Sequence, residues 1–422
     1  MRLALATSAT SGGARAMARL DELAACSAEE GALTRLYLTP EHAAAIALVK
    51  GWMEEAGMST ELDAAATLVG RYPGATPDAP VLILGSHIDT VRNAGRYDGN
   101  LGVIVAIEAV AALHQAGERL PFAIEVTAFG DEEGVRFPVT LTGSRSLAGT
   151  FQPGNLDATD KAGISLREAL VQFGCDPDAV SRLGRDPART LGYVEVHIEQ
   201  GPVLEAEDLP VGIVTAINGA SRFKVDLTGK AGHAGTVPMG LRLDAGAAAA
   251  EMILATELIT TTSGDLVATV GACEFRPGAV NVIPGSAHFS IDIRSPDDAI
   301  RNAAVAELIA RFETIAARRG VTFAIHKTYD EPAARCDPRL IETFEAAVAA
   351  AGLKPLKLSS GAGHDGLAMI SLCPIAMLFL RCKGGVSHNP AEAVLTEDVG
   401  AALEVLLGFL KRLPASLPPL PA

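Results

Sequence analysis

A short aliphatic run, Val81-Leu82-Ile83-Leu84, breaks off in Gly85-Ser86-His87-Ile88-Asp89-Thr90, and Arg96-Tyr97-Asp98-Gly99 follows just before a second apolar stretch. Such a run, bounded by glycine, reads as a strand buried on both faces, and Gly102–Ala116 reads as a buried helix. A buried strand that ends in histidine, with carboxylates soon after, is how an α/β sheet presents reactive groups at the carboxyl ends of its strands. That single pattern rules out most other folds and points to ligands for metal ions.

The remaining texture agrees. A helical pattern runs from Pro40 to Gly57, and strands are expected near Ala64–Gly70, Phe122–Phe129 and Tyr193–Ile198. After Tyr193–Ile198, Val211–Ile217, Ser221–Leu227 and Leu266–Glu274 alternate like half-exposed antiparallel strands, with helices at Asp244–Thr260 and Pro296–Arg319 between and beyond them. The first pattern resumes with a helix near Arg339–Ala351, a strand at Ile375–Leu380 and a helix at Thr396–Arg412. The expected fold class is therefore α/β, a mostly parallel sheet with helices on both faces. Residues 1–212 and 329–422 would form it, and 213–328 would form an inserted, smaller α+β domain. A length of 422 residues suits two such domains.

With 20% charged residues and a net charge of −15, the chain is a poor match for nucleic acid or an anionic membrane surface. No apolar run approaches the roughly 20 residues of a membrane helix. The start, Met1 to Thr7, is only faintly signal-like and reads as a disordered leader into a helix around Ala14–Ala25. The proline-rich tail from Leu413 reads as frayed. Six scattered cysteines, never as a C-x-x-C pair, fit reduced thiols in a cytoplasmic protein.

Five of the nine histidines, His87, His197, His233, His364 and His388, sit in glycine-rich or acidic contexts that do not suit a packed core. Asp89 lies two residues beyond His87 and so faces the same way, placed to accept the proton of the ring nitrogen that binds no metal. Asp98, in a tight loop, could bridge two cations. Glu132-Glu133 ends the strand before it, and adjacent carboxylates repel unless one is neutralised by metal and the other serves as an acid or base. The natural division makes Glu133 a ligand and Glu132 the general base, although a solvated acidic loop would look the same in isolation. His197 and His388 each follow an apolar segment. Imidazole and carboxylate donors without thiolate favour zinc, manganese, cobalt or nickel.

These motifs resemble the M20 metallopeptidase-type amidohydrolases, in particular their hydantoinase/carbamoylase branch. GSHIDTVRNAGRYDG, FGDEEGVRF, HIEQGP, GKAGHAGTVPM, NVIPG, DIRS, SGAGHDG and GGVSHNPAE occur in family order between about Leu20 and Leu410. The resemblance implies one divalent metal on His87, Asp98 and His197, and a second on Asp98, Glu133 and His388. Glu132 takes the base position, with Asp89 behind His87. In the inserted domain it implies that His233 stabilises an oxyanion, and that Asn281 and Arg294 meet a substrate carboxylate. Gln200 would hold a ureido group, and the loop carrying Gly363 and His364 would bind an anion through its amides. His364 either tunes the site or caps the next helix with Asp365, and Arg136 anchors the acidic loop.

The implied reaction is hydrolysis of a ureido C–N bond in a small ureido-carboxylate, with closure of the inserted domain over the substrate. Allantoate is favoured by Val211–Ala220, Arg92-Asn93 and Phe379–Cys382, with N-carbamoyl-L-amino acids or β-ureidopropionate as alternatives. An ordinary M20 peptidase is disfavoured by His197, and a catalytically inert scaffold by the complete ligand set. Analogy further implies a homodimer through the inserted domain, with His233 acting in its own or the neighbouring site.

Overall fold

The computed structural model describes residues 2–262 and 265–413. The proline-rich segment 414–422 lies outside the described residues. The chain divides into two compact units, one made of residues up to Thr215 and from Arg335 on, the other of Ala216–Ala334.

The larger unit is built on a sheet of nine strands. In order they are Ser59–Leu62, Leu68–Tyr72, Ala123–Phe129, Val81–His87, Thr190–Ile198, Ile375–Leu380, Val211–Ile217 and Ala334–Arg335, with Lys357–Ser360 also beside Val211–Ile217. The four central strands are parallel, and antiparallel neighbours flank them. Alternation along Thr190–Ile198 separates two faces. Val194, Val196 and Ile198 join the main apolar core with the helix Asn100–Gln115 and the helices Pro338–Ala350 and Thr396–Arg412. Tyr193, Glu195 and His197 point the other way. The short helix Gly366–Met369 packs on the same strand and against the helix Thr142–Leu147.

Four local readings change. The first helix begins at Arg2, well before Ala14, because the alanine- and leucine-rich start contains no breaker strong enough to stop it. Its two glycines allow close packing on the last helix: a Cβ at Gly12 would meet Leu403 at 2.5 Å, and one at Gly13 would meet the Thr396 carbonyl at 2.8 Å. Residues 59–72 form a hairpin in place of one strand at 64–70. The Asp63 carboxylate makes that turn by accepting from the amides of Ala65 (2.8 Å) and Thr67 (2.9 Å). Leu266–Glu274 divides into Val267–Thr269 and Cys273–Arg276, both paired with Ser286–Ser295. Finally, Val211–Ile217 pairs with Ile375–Leu380, so it belongs to the large sheet. The Cys336 amide donates to the Thr215 carbonyl at 2.9 Å, where the chain leaves and re-enters this unit.

In the second unit the antiparallel order is Cys273–Arg276, Ser286–Ser295, Gly219–Thr228, Thr322–Glu331. Inward residues Phe223, Val225, Phe289, Ile291 and Ile293 pack with Met252, Leu308 and Phe312 from the helices Ala245–Leu258 and Asp298–Arg319. The longer helix starts on the Asp297 side chain, which accepts from Ala299 N at 2.8 Å, and stops at left-handed Gly320. No helix among the described residues is long and apolar enough to cross a membrane.

Candidate metal centre

The carboxyl ends of the parallel strands bring His87, Asp98, Glu132, Glu133, His197 and His388 together. His87 is the last residue of its strand, and His197 is the last but one of the neighbouring strand. Asp98 sits in the loop before the helix Asn100–Gln115. Gly99 must follow it, because its φ is 64° and a Cβ there would lie 2.4 Å from the His87 ring. The Nε2 atoms of His197 and His87 lie 3.1 and 3.7 Å from Asp98 Oδ1, and His388 Nε2 lies 3.1 Å from Oδ2. His388 Nε2 is also 3.6 Å from Glu133 Oε2. Among the described residues four sets of donor atoms lie within 4.8 Å of one another, and two of them share Asp98: His87, Asp98 and His197, and Asp98, Glu133 and His388. Their nitrogen and oxygen donors, with one carboxylate shared, fit a pair of divalent cations.

Hydrogen bonds orient the rings. The Nδ1 atoms of His87 and His197 face the carbonyls of Asp89 (3.0 Å) and Ile198 (2.9 Å), which leaves both Nε2 atoms available as metal ligands. The expectation for Asp89 therefore changes. Its backbone carbonyl orients His87, whereas its carboxylate, 3.7 Å from Nδ1, accepts from the amides of Glu132 and Glu133 at 3.2 Å each. It positions the acidic pair. The Gln200 side-chain amide donates to Asp98 Oδ2 (2.9 Å) and Ser387 Oγ (3.0 Å).

Burial and charge set the protonation of the cluster. Burial would raise the Asp98 carboxyl, but hydrogen bonds from His197, His388 and His87 outweigh it and hold it well below the usual carboxylate range. Burial pushes Glu132 well up, with Glu133, Asp365 and Asp89 adding like charge against the opposing effect of His87. Burial and Asp98 lift Glu133 to about 7. The bond to Asp98 lifts His388 to about 9. A carboxylate whose proton affinity is raised by its surroundings, next to a ligand cluster, is suited to accept and return a proton.

The loop Ser360–Asp365 lies alongside. A Cβ on Gly363 would come 3.8 Å from Glu132 Oε1. His364 is buried, its Nε2 2.6 Å from Ser360 Oγ and its ring 4.5 Å from that of His197. Burial and His197 hold it well below the normal histidine range, so it is neutral. Neither His364 nor Asp365 caps the following helix through its side chain. Arg136 anchors the acidic loop, bonding Asp160 (3.1 Å) and the carbonyls of Tyr37 (3.0 Å) and Leu38 (2.6 Å). Sequence reasoning missed Glu392, although it closes the GGVSHNPAE motif. Its carboxylate accepts from the amides of Tyr97 (2.8 Å) and Asp98 (3.1 Å) and from Ser387 Oγ (3.0 Å). A carboxylate one turn after a ligand histidine was the signal available.

In the second unit His233 and Asn281 are neighbours. His233 pairs with Val282 in a two-stranded ribbon, and the Ala234 amide donates to the Asn281 carbonyl at 3.0 Å. Both residues are exposed. His233 Nδ1 accepts from Gly235 N at 3.0 Å, which leaves Nε2 to carry the ring proton. Arg294 forms an ion pair with Asp292, with two nitrogens on its carboxylate at 2.8 and 2.9 Å.

Known proteins are similar to this chain. The family described as peptidase family M20/M25/M40 matches residues 83–412. Allantoate deiminase from Arabidopsis thaliana is 42% identical, over 94% of this chain and 81% of its own. N-carbamoyl-L-amino acid amidohydrolase from Geobacillus stearothermophilus is also 42% identical, over 93% and 97%. A hydantoinase/carbamoylase family amidase structure from Burkholderia multivorans superposes with a TM-score of 0.89 at 32% identity, covering 95% of this chain and 97% of its own. The chain thus belongs to the M20/M25/M40 peptidase family, alongside members that act as amidohydrolases.

Proposed function

We propose that the protein hydrolyses a ureido C–N bond in a small carboxylate-bearing substrate, with allantoate as that substrate. The observation that carries this reading is the pair of ligand sets sharing Asp98, with Glu132 beside them, in a chain 42% identical to an allantoate deiminase. His87, Asp98 and His197 would hold one divalent cation, and Asp98, Glu133 and His388 the other. Manganese or zinc is favoured, with cobalt or nickel possible. Bound there, such ions supply Lewis acidity and lower the pKa of a water.

The protein's own groups do the rest. Glu132 takes the proton from the attacking water and gives it to the departing nitrogen. Asp89 holds the backbone of Glu132 in place, and Gln200 fixes the Asp98 carboxylate in addition to any contact with the ureido group. His233 would donate from Nε2 to the developing oxyanion. Asn281 and Arg294 would recognise the substrate carboxylate, Asp292 holding the guanidinium plane, and the amides around Gly363 and His364 would accept an anionic group. Breaking the C–N bond of allantoate leaves ureidoglycine and a carbamate that decomposes to ammonia and carbon dioxide.

The equal identity of an N-carbamoyl-L-amino acid amidohydrolase supports the second reading, a carbamoylase. Ammonia release from allantoate and from a panel of N-carbamoyl-L-amino acids, with metal-stripped protein reloaded with manganese, separates the two. A tenfold advantage in kcat/KM, about 1.4 kcal/mol, assigns the substrate. Peptide cleavage without ammonia would return the protein to the peptidase reading. We further propose a homodimer through the second unit, supported by exposed Leu254 and Leu258 and tested by light scattering. Six free cysteines support a cytoplasmic location, which fractionation tests.

A further inference from the structure

Arg35 stands apart from every motif above, yet its side chain is wholly buried. Its Nε donates to the Ile88 carbonyl at 2.6 Å, Nη1 to the carbonyls of Leu23 (2.8 Å) and Cys26 (3.1 Å), and Nη2 to Asn100 Oδ1 at 2.5 Å. Its backbone joins the same place, donating to Thr90 Oγ1 and accepting from Thr90 N, both at 2.9 Å. These acceptors bracket the ligands. Ile88 follows His87 directly, and Asn100 clasps the Asp98 carbonyl through its own amide (2.7 Å) and side chain (3.1 Å). Leu23 and Cys26 present the carbonyls at the end of the first helix, which need partners when buried.

We propose that Arg35 is a positioning residue that fixes the spacing between His87 and Asp98 and so sets the affinity of the first cation site. The proposal rests on the reading of those two residues as ligands. A guanidinium sent to a site of mostly neutral carbonyls loses its hydration, a cost of several kcal/mol that packing alone would not select. Its planar fork reaches three chain segments at once, which the single point of a lysine ammonium does not.

The test uses the full-length protein, stripped of metal and titrated with manganese and with zinc by calorimetry, alongside thermal unfolding of the metal-free form. Asn100→Ala cuts only the arm toward Asp98. It should weaken binding at one of the two sites by 10- to 100-fold, as loss of partners behind a ligand does, with only a modest fall in the metal-free melting temperature from the guanidinium nitrogen left unpaired. Arg35→Lys should weaken the same site more, and excess metal should restore kcat in both. Wild-type affinity in Asn100→Ala, or a lowered melting temperature with unchanged affinity in Arg35→Lys, would make Arg35 a structural plug and overturn the proposal. A wild-type control that takes up no divalent cation would overturn the ligand reading itself, and that failure shows before any variant is compared.

Discussion

The two sets of candidate functional side chains are held in opposite ways. In the larger unit His87, Asp98 and His197 are buried, and each is fixed by at least one further hydrogen bond. In the second unit His233 and Asn281 are exposed, His233 is steadied by one local amide, and Arg294 leans on Asp292. The difference follows from chemistry. A cation site tolerates only small errors in donor position, so His87, Asp98 and His197 are set at or beside the strand ends of a rigid sheet and tied from behind, while His388 sits half exposed on a loop. Groups proposed to recognise a substrate must be reachable, and His233, Asn281 and Arg294 stand on ribbon and strand ends of the second unit.

The comparison can be sharpened from both sides. The largest effect belongs to Glu132→Gln, which should lower kcat by roughly 10²- to 10⁴-fold, the range of a general base, while metal content by mass spectrometry stays at the wild-type value. Loss of metal along with turnover would show that Glu132 acts as a ligand. Phe312→Ala comes next. Phe312 packs edge-on against Phe289 and Phe323, with ring centroids 6.0 Å away in each case. Its truncation should destabilise the second unit by about 3–5 kcal/mol, read by denaturant unfolding, with metal stoichiometry untouched. A coupled loss of metal would break the separation between the two regions.

Arg294→Ala should be milder, reducing kcat/KM by about 10- to 100-fold mainly through KM, at the scale of a charged hydrogen-bonded contact. A fall in kcat alone would move Arg294 from recognition to chemistry. The smallest effect is acid sensitivity in the larger unit. Burial and the nearby charge of Arg35 push His42 down to about 3. Folded His42 thus binds fewer protons than unfolded His42, whose pKa is about 6.5. Its contribution to stability is complete above pH 6.5 and fades as pH falls toward 3. Between pH 7 and 5.5 the loss is about 1.3 kcal/mol by linkage, and His42→Phe should lack that slope. An identical pH profile in the variant would assign the slope to other groups.

The candidate ligand histidines were legible because their strand ends combine aliphatic runs with residues that a core excludes. His87 and His197 each announced themselves that way. The acidic pair was legible for the same reason, but the partner of Asp89 was not: sequence spacing places a side chain on a face without saying whether its carbonyl or its carboxylate makes the bond. Val211–Ile217 was misplaced because alternation is shared by an antiparallel edge of the large sheet and by an inserted antiparallel sheet. Arg35 was invisible for another reason. A single charge inside Leu33-Thr34-Arg35-Leu36-Tyr37-Leu38 has no periodicity to read, and its acceptors lie 9 to 65 positions away along the chain.

The single bond between Cys336 N and Thr215 O, 2.9 Å long, joins the two chain crossings of the larger unit. Ends so close can be spliced by a tight turn. The 216–334 segment is then a detachable cassette, and its deletion with a short splice should yield a miniature that keeps the candidate ligand cage while losing His233, Asn281 and Arg294.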